Sequence, residues 1–306
     1  VQPLTRGDPE SPLRWISKSL RHLVEALKKL GHKVSTFVIR RILRQKGYSL
    51  QANRKTQEGG KHPDRDLQFQ YISKRMTRFI NEHEPVISID AKKKELIGNF
   101  KNNGREWNPK EKPTEVNVYD FLPKFGVKAV PYGIYDIARN SGFVNLGISA
   151  DTAVFAGKSI LKWWNKEGRM NYPNATKLLI TADGGGSNGR RVRLWKIIVQ
   201  ELATKLRLPI SVCHYPPGTR KRNKIEHRLF SHISMNWRGE PLTSIQKMKN
   251  LIANTKTREG LTVSCRIDDS KYRKGIKISN NRMNRLKMIR HSFHGEWNYT
   301  ISPQID

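Results

Sequence analysis

Two acidic residues end apolar runs of the sequence. Asp90 closes residues 86–90 (Val-Ile-Ser-Ile-Asp), and Asp183 closes residues 178–183 (Leu-Leu-Ile-Thr-Ala-Asp). Short apolar runs of this kind predict buried strands. Functional side chains in α/β sheets collect at the carboxyl ends of strands. We therefore expect the two carboxylates to lie at one edge of a sheet.

A third carboxylate, Glu226, lies on a predicted helix covering residues 223–237. Leu229, Phe230 and Ile233 follow it at helical spacing, so Glu226 coincides with the apolar side of that helix. A carboxylate on a buried face costs several kcal/mol, on the order of 3–5, unless something pairs with it. A lysine or arginine in a structural salt bridge is one candidate partner. A divalent cation is the preferred one, because two further carboxylates already end buried strands.

Three carboxylates without cysteine ligands suit a hard cation such as Mg²⁺ or Mn²⁺. In chain order, Asp183 follows Asp90 by 93 positions, and Glu226 follows Asp183 by 43 positions. Two such ions can hold the attacking and leaving oxygens of a phosphoryl displacement. The pattern therefore predicts metal-dependent phosphoryl transfer by Asp90, Asp183 and Glu226.

Two loops flank these acids. The loop before Glu226 carries Arg220, Lys221, Arg222 and Lys224, which we expect to contact DNA phosphates, although a solvated run of charges is the alternative. Residues 184–189 (Gly-Gly-Gly-Ser-Asn-Gly) form either a plain strand-to-helix turn or a phosphate cradle. The segment lacks the Lys-Ser/Thr pair of a P-loop, which argues against a binding site for a nucleoside triphosphate.

Composition points to a polyanionic partner. The 306 residues include 58 Lys and Arg against 26 Asp and Glu, a net charge of +32. Self-repulsion on that scale opposes compaction, and nucleic acid relieves it. Two cysteines exclude a disulfide scaffold, and no apolar run predicts a transmembrane span or signal peptide. The turn-rich opening without Met predicts that the natural start lies upstream.

The first 62 residues predict an all-α helix-turn-helix domain. Ser11 and Pro12 are typical of a helix start, and an apolar stripe then runs to Leu30 before Gly31. After a short link, Ser35 is placed to cap a second helix that ends near Gly47. Two helices joined by a short turn are typical of DNA-binding proteins.

The second of these helices has two unlike faces. A helical wheel places Val38, Ile39, Ile42 and Leu43 on one face, for packing. The opposite face carries Thr36, Phe37, Arg40, Arg41 and Arg44. Arginine, threonine and an aromatic ring are suited to reading the major groove, so we expect these five residues to bind DNA. A solvated basic helix of a small bundle is the alternative.

The middle of the chain predicts an α/β fold, a mixed sheet with helices on both faces. Residues 49–66 are a polar linker, and residues 64–83 a leading helix. A strand is expected at 86–90, and residues 95–100 are expected to pair with it as a hairpin. Two more strands are expected within 127–149, followed by strands at 177–182 and 210–214. Helices are expected at 152–164, 190–206 and 223–237.

Three domains follow from this pattern. Residues 1–62 are the helix-turn-helix domain, and residues 63–240 the catalytic domain, with 63–84 as linker and leading helix. Residues 241–306 form a basic extension, in which 261–267 and 275–279 alternate as a β-hairpin would. This extension either contacts DNA or packs on the catalytic domain.

Longer motifs resemble a known family. Tyr215-Pro-Pro-Gly-Thr-Arg-Lys-Arg-Asn-Lys-Ile-Glu-His227 resembles the Pro-rich approach to the third carboxylate in mariner-like and integrase-like enzymes. The longer match consists of Thr181-Ala-Asp-Gly-Gly-Gly-Ser-Asn-Gly189, Asn223-Lys-Ile-Glu-His-Arg-Leu-Phe-Ser-His-Ile233, His294-Gly-Glu-Trp-Asn-Tyr-Thr-Ile301 and Gly7-Asp-Pro-Glu-Ser-Pro-Leu-Arg-Trp15. Together they resemble the DDE transposases of bacterial insertion sequences, in the Rhodopirellula-type branch. The resemblance extends over nearly the whole chain.

The resemblance implies a ribonuclease-H-like catalytic domain whose metal-binding triad is Asp90, Asp183 and Glu226. It implies a DDE transposase, a metal-dependent nuclease and strand transferase that uses Mg²⁺ or Mn²⁺, two ions in all. Such an enzyme cuts the element ends and joins the freed 3′-hydroxyl to target DNA without a covalent protein–DNA intermediate. Its expected partners are terminal-repeat and target duplexes and further copies of itself assembled on DNA. Its expected location is the bacterial cytoplasm, at the nucleoid.

Two other functions compete with this one. A non-catalytic, domesticated or regulatory relative would keep the fold, but the complete set of three acids argues against it. A structure-selective nuclease seldom needs a separate sequence-reading domain. Asp136 and Asp151 also lie on or near strands; Asp90 and Asp183 are preferred because each directly follows an uninterrupted buried run.

Overall fold

The structure is a computed structural model, in which the chain divides into two compact units, residues 1–57 and residues 58–306. The residues that it describes are 5–7, 14–16, 19–51, 62–105, 107, 109, 111–119, 126–216 and 223–304.

The first unit contains two short strands and two helices. Strands β1 (Thr5–Gly7) and β2 (Arg14–Ile16) pair antiparallel. Helices α1 (Leu20–Lys29) and α2 (Thr36–Gln45) follow and pack on each other. The predicted N-terminal helical region is therefore present, but the unit is not all-α as predicted, because β1 and β2 form a two-stranded sheet.

Local chemistry explains where these helices begin and end. Ser19 and Ser35 each accept a hydrogen bond from the backbone N–H three residues on, as N-cap residues do. Gly31 follows α1 with a φ of +83°, a conformation that glycine adopts without strain. Leu23 and Ile39 are the buried residues of the two helices.

The predicted start of the first helix is wrong. Ser11 and Pro12 lie outside the described residues, but residues 14–16, which that helix would have included, form β2. Their backbone groups pair with β1, and the helix begins only after the cap at Ser19.

The second unit is built on one large sheet. In chain order its elements are α3 (Arg65–Asn81), β3 (Val86–Ala91), β4 (Glu95–Leu96), β5 (Lys128–Asp136), β6 (Ser141–Gly147), α4 (Ala153–Trp163), α5 (Arg169–Asn171), β7 (Leu178–Ala182), α6 (Arg193–Leu206), β8 (Ile210–His214), α7 (Ser231–Asn236), α8 (Ile245–Ala253), β9 (Thr262–Asp268), α9 (Asn280–Asn284), β10 (Met288–Arg290) and β11 (Asn298–Ile301). The π-helical turn Trp164–Gly168 joins α4 to α5, and the turn Glu226–Phe230 leads into α7.

The strands follow the order β10-β11-β8-β7-β3-β5-β6-β9, and β4 pairs with β5. Strands β3, β7 and β8 are parallel neighbours, whereas β5 runs antiparallel to both β3 and β6. The sheet is therefore mixed, as predicted. Strands β3, β6 and β7 all point toward the same edge.

Alternate strand residues face two hydrophobic layers. On one face, residues such as Ile89 and Tyr132 pack with α4 and α6. On the other face, Tyr135 packs with the Glu226–Phe230 turn, α7 and α8, and Val86 packs with α3. Helices therefore cover both faces of the sheet, as the sequence predicted.

Two predicted hairpins are wrong, and both errors concern strand partners. Residues 95–100 do not pair with β3, because β5 and β7 already occupy both of its edges; Glu95 and Leu96 pair with β5 instead. Residues 262–268 do not pair with 275–279, which form no strand. They run parallel to β6 at its open edge, and their alternating side chains pack near α8.

The segment 241–306, expected as an extension, contributes helices α8 and α9 and three strands to this unit. Within the described part of the chain, no helix has the length and apolar character needed to cross a membrane.

Candidate active site

Asp90 and Asp183 lie at the ends of neighbouring parallel strands. Ile89 of β3 is paired in register with Ala182 of β7, so the next residue of each chain segment is one of the two acids. Their exposed fractions are only 8% and 7%. Asp90 Oδ1 accepts a hydrogen bond of 2.7 Å from the N–H of Ala91. The structure thus places these two carboxylates at one edge of the sheet.

Glu226 reaches the same edge because its helix lies directly on the sheet. Its π-helical turn packs over Gly133, the residue of β5 that is paired with Asp90. A Cβ atom at Gly133 would lie 2.6 Å from the ring of Phe230 and 2.9 Å from Ile225. The absence of a side chain at Gly133 therefore allows the helix to approach the strand beside Asp90.

Asp90 and Glu226 line a common cavity of about 500 Å³. Lys92, Lys93, Ser231 and Ser234 also line it. Glu226 is half-buried, whereas the predicted neighbours on its apolar side, Leu229, Phe230 and Ile233, are buried in the core. The cavity combines acidic and basic side chains, which is suited to a site where cations and phosphates meet.

Asn223 connects the third acid to the other two. It is fully buried, and its Oδ1 accepts a hydrogen bond of 2.6 Å from Ser88 Oγ on β3. Its Nδ2 donates to Asp183 Oδ1 at 3.2 Å. Asn223 thereby fixes the start of the Glu226 helix to both strands. Neither Asn223 nor Gly133 was predicted from the sequence to have a role, although an Asn at a helix start is a recognisable capping signal.

His214, the last residue of β8, holds the loop after Asp183. Its Nδ1 lies 3.0 Å from the carbonyl oxygen of Asp183. Burial lowers the pKa of His214 to about 4, so the ring is neutral at pH 7. A neutral ring that contacts a carbonyl through Nδ1 carries its hydrogen on that atom. His214 therefore donates to Asp183 and adds no charge to the site.

The predicted DNA-binding residues divide into two groups. Thr36, Phe37, Arg40, Arg41 and Arg44 are all exposed on α2. Ile42, predicted to lie on the packed face, is 45% exposed. In the basic loop, Arg220, Lys221 and Arg222 lie outside the described residues, and Lys224 is exposed.

Among the described residues, one group of three His, Cys, Asp or Glu side chains has its ligand atoms close enough together to hold a metal ion, and it does not include Asp90, Asp183 or Glu226. His62, Asp64 and His294 present ligand atoms within 4.8 Å of one another. His294 contacts Glu296 at 2.7 Å and Asp64 at 3.0 Å, and it stacks on Trp297. Sequence spacing gave no sign of this cluster, because His294 lies 230 residues from Asp64 in the chain. Its contacts hold the start of α3 to the segment before β11.

Replacing Gly133 with Ala tests the close approach of the Glu226 helix. Overpacking of this kind costs about 1–3 kcal/mol in the free energy of unfolding. Relief of a 2.6 Å contact requires a shift of about 1 Å, and misplacement on that scale lowers activity by roughly 100-fold. Urea unfolding and a DNA-cleavage assay measure the two effects.

Gly185→Ala is the matched stability control, because a Cβ there meets no atom within 4 Å. A Gly133→Ala protein as stable as the control would contradict the packing described here.

The sequence profile of a family described as the Rhodopirellula transposase DDE domain matches residues 1–303. No curated protein shows significant sequence similarity to the chain.

Solved structures of the mariner transposase Mos1 are similar to the chain at low identity. The paired-end complex with left transposon end is 13% identical, with a TM-score of 0.45, over 76% of this chain and 65% of that one. The pre-cleavage transpososome is 12% identical, with a TM-score of 0.46, over 80% and 72%. The strand transfer complex is 14% identical, with a TM-score of 0.45, over 80% and 71%. The chain thus spans about two thirds of the length of these proteins.

The family match runs through almost the entire chain, so the resemblance seen in the motifs is confirmed. The mixed α/β class is confirmed by the sheet itself. The chain belongs to the Rhodopirellula transposase DDE domain family.

Proposed function

We propose that this protein is a metal-dependent DDE transposase that cuts the ends of an insertion sequence and joins the freed 3′-hydroxyl to target DNA. The observation that carries the proposal is that Asp90 and Asp183 directly follow a register pair of neighbouring parallel strands, Ile89 and Ala182, while Glu226 shares a cavity with Asp90. Membership of a transposase DDE domain family supports it.

Asp90, Asp183 and Glu226 are the proposed metal ligands. All three supply carboxylate oxygens, the donors that Mg²⁺ and Mn²⁺ prefer, and two of them are held nearly buried. When bound, two divalent ions would activate the attacking oxygen and stabilise the leaving one. The donor set therefore fits the cofactor that the family implies.

The surrounding residues have separate tasks in this proposal. Asn223 holds the Glu226 helix to Ser88 and Asp183, so that the three carboxylates keep one arrangement. Lys92 and Lys93 line the cavity and attract the phosphates of the DNA strand to be cut. The basic segment before Glu226 is proposed to contact the DNA backbone beside the cavity; its residues are Arg220, Lys221, Arg222 and Lys224.

The first unit is proposed to recognise the element ends through α2. Its exposed face carries three arginines, a threonine and Phe37, side chains that contact base edges and thymine methyl groups. Two copies of the protein are expected on paired ends, and the site of action is the bacterial nucleoid.

The proposal is tested with purified protein and duplex DNA that carries the flanking terminal repeats. The expected products, with Mg²⁺ or Mn²⁺, are strands nicked at the element end and strands joined to a second duplex. EDTA should abolish both products. Binding of the repeats without any cutting, in either metal, would instead support a non-catalytic relative.

Replacing Arg40 and Arg44 together with Ala is expected to weaken binding to the terminal repeat more than binding to random DNA. Each base-specific interaction that is removed costs about 1–3 kcal/mol of discrimination. Fluorescence anisotropy on both duplexes measures the difference.

The control replaces the exposed Lys28 and Lys29 of α1 with Ala, which removes the same amount of charge. It should weaken binding to both duplexes alike. Equal effects on the two duplexes for the Arg40/Arg44 variant would mean that α2 contacts only the DNA backbone.

A further inference from the structure

Three side chains that can bind a metal ion converge where the beginning of α3 meets the segment before β11. They are His62, Asp64 and His294, whose ligand atoms lie within 4.8 Å of one another. All three are partly buried and belong to the second unit. They have no part in the chemistry proposed for the three acids, so they need an explanation of their own.

The ring of His294 lies between two carboxylates. Its Nδ1 is 2.7 Å from Glu296 Oε1, and its Nε2 is 3.0 Å from Asp64 Oδ2. A neutral imidazole carries one hydrogen and donates at one nitrogen only. If that hydrogen goes to Glu296 at the shorter contact, the lone pair of Nε2 faces a carboxylate oxygen. Either a second proton or a metal ion is therefore needed to join Nε2 to Asp64.

Helix capping does not account for the position of Asp64. This residue is the N-cap of α3, but its side chain accepts no hydrogen bond from the first turn of that helix. The cap residues Ser19 and Ser35 of α1 and α2 do accept such a bond. The carboxylate of Asp64 lies against His294 instead, so it is available as a ligand.

His62 brings a third donor to the same place. The N–H of Asp64 donates to Nδ1 of His62 at 3.2 Å, so this nitrogen presents a lone pair beside Asp64. The buried indole ring of Trp297 holds both histidines: His294 stacks on it with 4.3 Å between ring centroids, and His62 contacts it edge-on at 4.7 Å. A proton would serve only Asp64 and His294, whereas a metal ion would use all three side chains.

We propose that His62, Asp64 and His294 bind a zinc ion that fastens the beginning of α3 to the segment before β11, with Glu296 as the positioning residue of His294. Imidazole nitrogens suit zinc, whereas a site of carboxylates alone suits Mg²⁺ or Mn²⁺. Neighbouring ligand atoms of a tetrahedral zinc ion are about 3.3 Å apart, so atoms within 4.8 Å of one another need to close by no more than about 1.5 Å. A carboxylate on the other nitrogen of a zinc-bound histidine fixes the orientation of the ring, and Glu296 is placed to do this. The inference goes beyond the proposed function and does not depend on it.

The test is a titration of the full chain with Zn²⁺ in excess Mg²⁺, which occupies sites made of carboxylates alone. A fluorescent zinc indicator competes with the protein and reports the free ion. Loss of a group that orients a ligand lowers metal affinity by about 10- to 100-fold, so we expect this effect for Glu296→Gln and a larger loss for His62→Gln and for His294→Gln. His32→Gln, which changes an exposed histidine after α1, is the matched control and should bind Zn²⁺ like the wild type.

Melting temperatures separate zinc binding from a purely structural role of the same side chains. A ligand that binds only the folded state raises the melting temperature. Zn²⁺ should therefore raise the melting temperature of the wild type and of His32→Gln, and the rise should disappear in His62→Gln and His294→Gln. Melting curves in EDTA show whether each variant is folded. If His294→Gln does not fold, His62→Gln decides the question, because the ring of His62 contacts Trp297 only edge-on.

Two results would overturn the inference. Equal Zn²⁺ affinity of the wild type and both histidine variants would mean that a second proton, and not a metal ion, joins His294 to Asp64. Zn²⁺ binding that is lost in Glu226→Gln but kept in both histidine variants would place the ion at the three acids. Neither result affects the proposed function, because DNA cleavage with Mg²⁺ does not require zinc. If the inference is right, Glu226→Gln still binds Zn²⁺ like the wild type.

Discussion

Replacing Glu226 with Gln is expected to lower the rate of DNA cleavage and joining by more than 100-fold. The substitution keeps the shape of the side chain and removes the charge that holds a divalent cation. Loss of a group that only orients a metal ligand costs about 10- to 100-fold, and loss of a ligand should exceed that. Affinity for duplex DNA should stay near that of the wild type, because the basic surfaces are unchanged. Single-turnover cleavage and fluorescence anisotropy measure the two quantities.

Glu259→Gln is the control for this substitution, since Glu259 is exposed and its carboxylate forms a 3.4 Å ion pair with the exposed Arg228. It should cleave DNA at the wild-type rate. If Glu226 instead served a structural ion pair, its substitution would destabilise the protein by about 3–5 kcal/mol and Mg²⁺ would not affect the melting temperature. A stable Glu226→Gln protein with full activity would contradict both interpretations.

The affinity for duplex DNA is expected to fall by roughly 10³- to 10⁵-fold between about 50 and 200 mM salt. This magnitude corresponds to six to ten phosphate contacts, a number that a protein with 58 Lys and Arg residues can supply. Each contact releases condensed counterions, so the logarithm of the binding constant falls linearly with the logarithm of the salt concentration. Anisotropy titrations at several salt concentrations give the slope.

Arg40 and Arg44 provide an internal control for that slope. Replacing both with Ala should reduce the slope on random DNA by about one unit for each phosphate that the variant no longer neutralises. A binding constant that does not change with salt would contradict a nucleic-acid partner.

The sequence was sufficient to predict the elements that carry the acids. The apolar runs that end in Asp90 and Asp183 are local signals for strands. Because neighbouring parallel strands end on the same side of the sheet, predicting the two strands also predicted that the two acids lie on that side. The mixed sheet and the capped α2 were predicted for the same reason: Ser35 and the alternating runs act on residues close by in the chain.

The pairing partners of strands could not be predicted in this way. The alternation of apolar and polar residues predicts that residues 262–268 form a strand. It does not predict that this strand pairs with the open edge of β6. The same applies to β4, which pairs with β5 because β3 has no free edge. The partner of a strand depends on which other strands leave an edge unpaired, and this is a property of the whole sheet.

Side-chain arrangements that join distant segments were also beyond the sequence. Asn223 contacts Ser88 across 135 residues, and Gly133 is significant only because the Glu226 helix packs over it.

Anomalous scattering from Mn²⁺ is the most direct test of the central claim, that Asp90, Asp183 and Glu226 hold divalent cations at the sheet edge. Crystals of the full chain grown with Mn²⁺ should give an anomalous peak about 2.0–2.6 Å from carboxylate oxygens of these three residues, the range for hard cations with oxygen ligands. The peak should be absent in Glu226→Gln crystals prepared in the same way. An anomalous peak only at His62, Asp64 and His294, with none at the three acids, would contradict the claim.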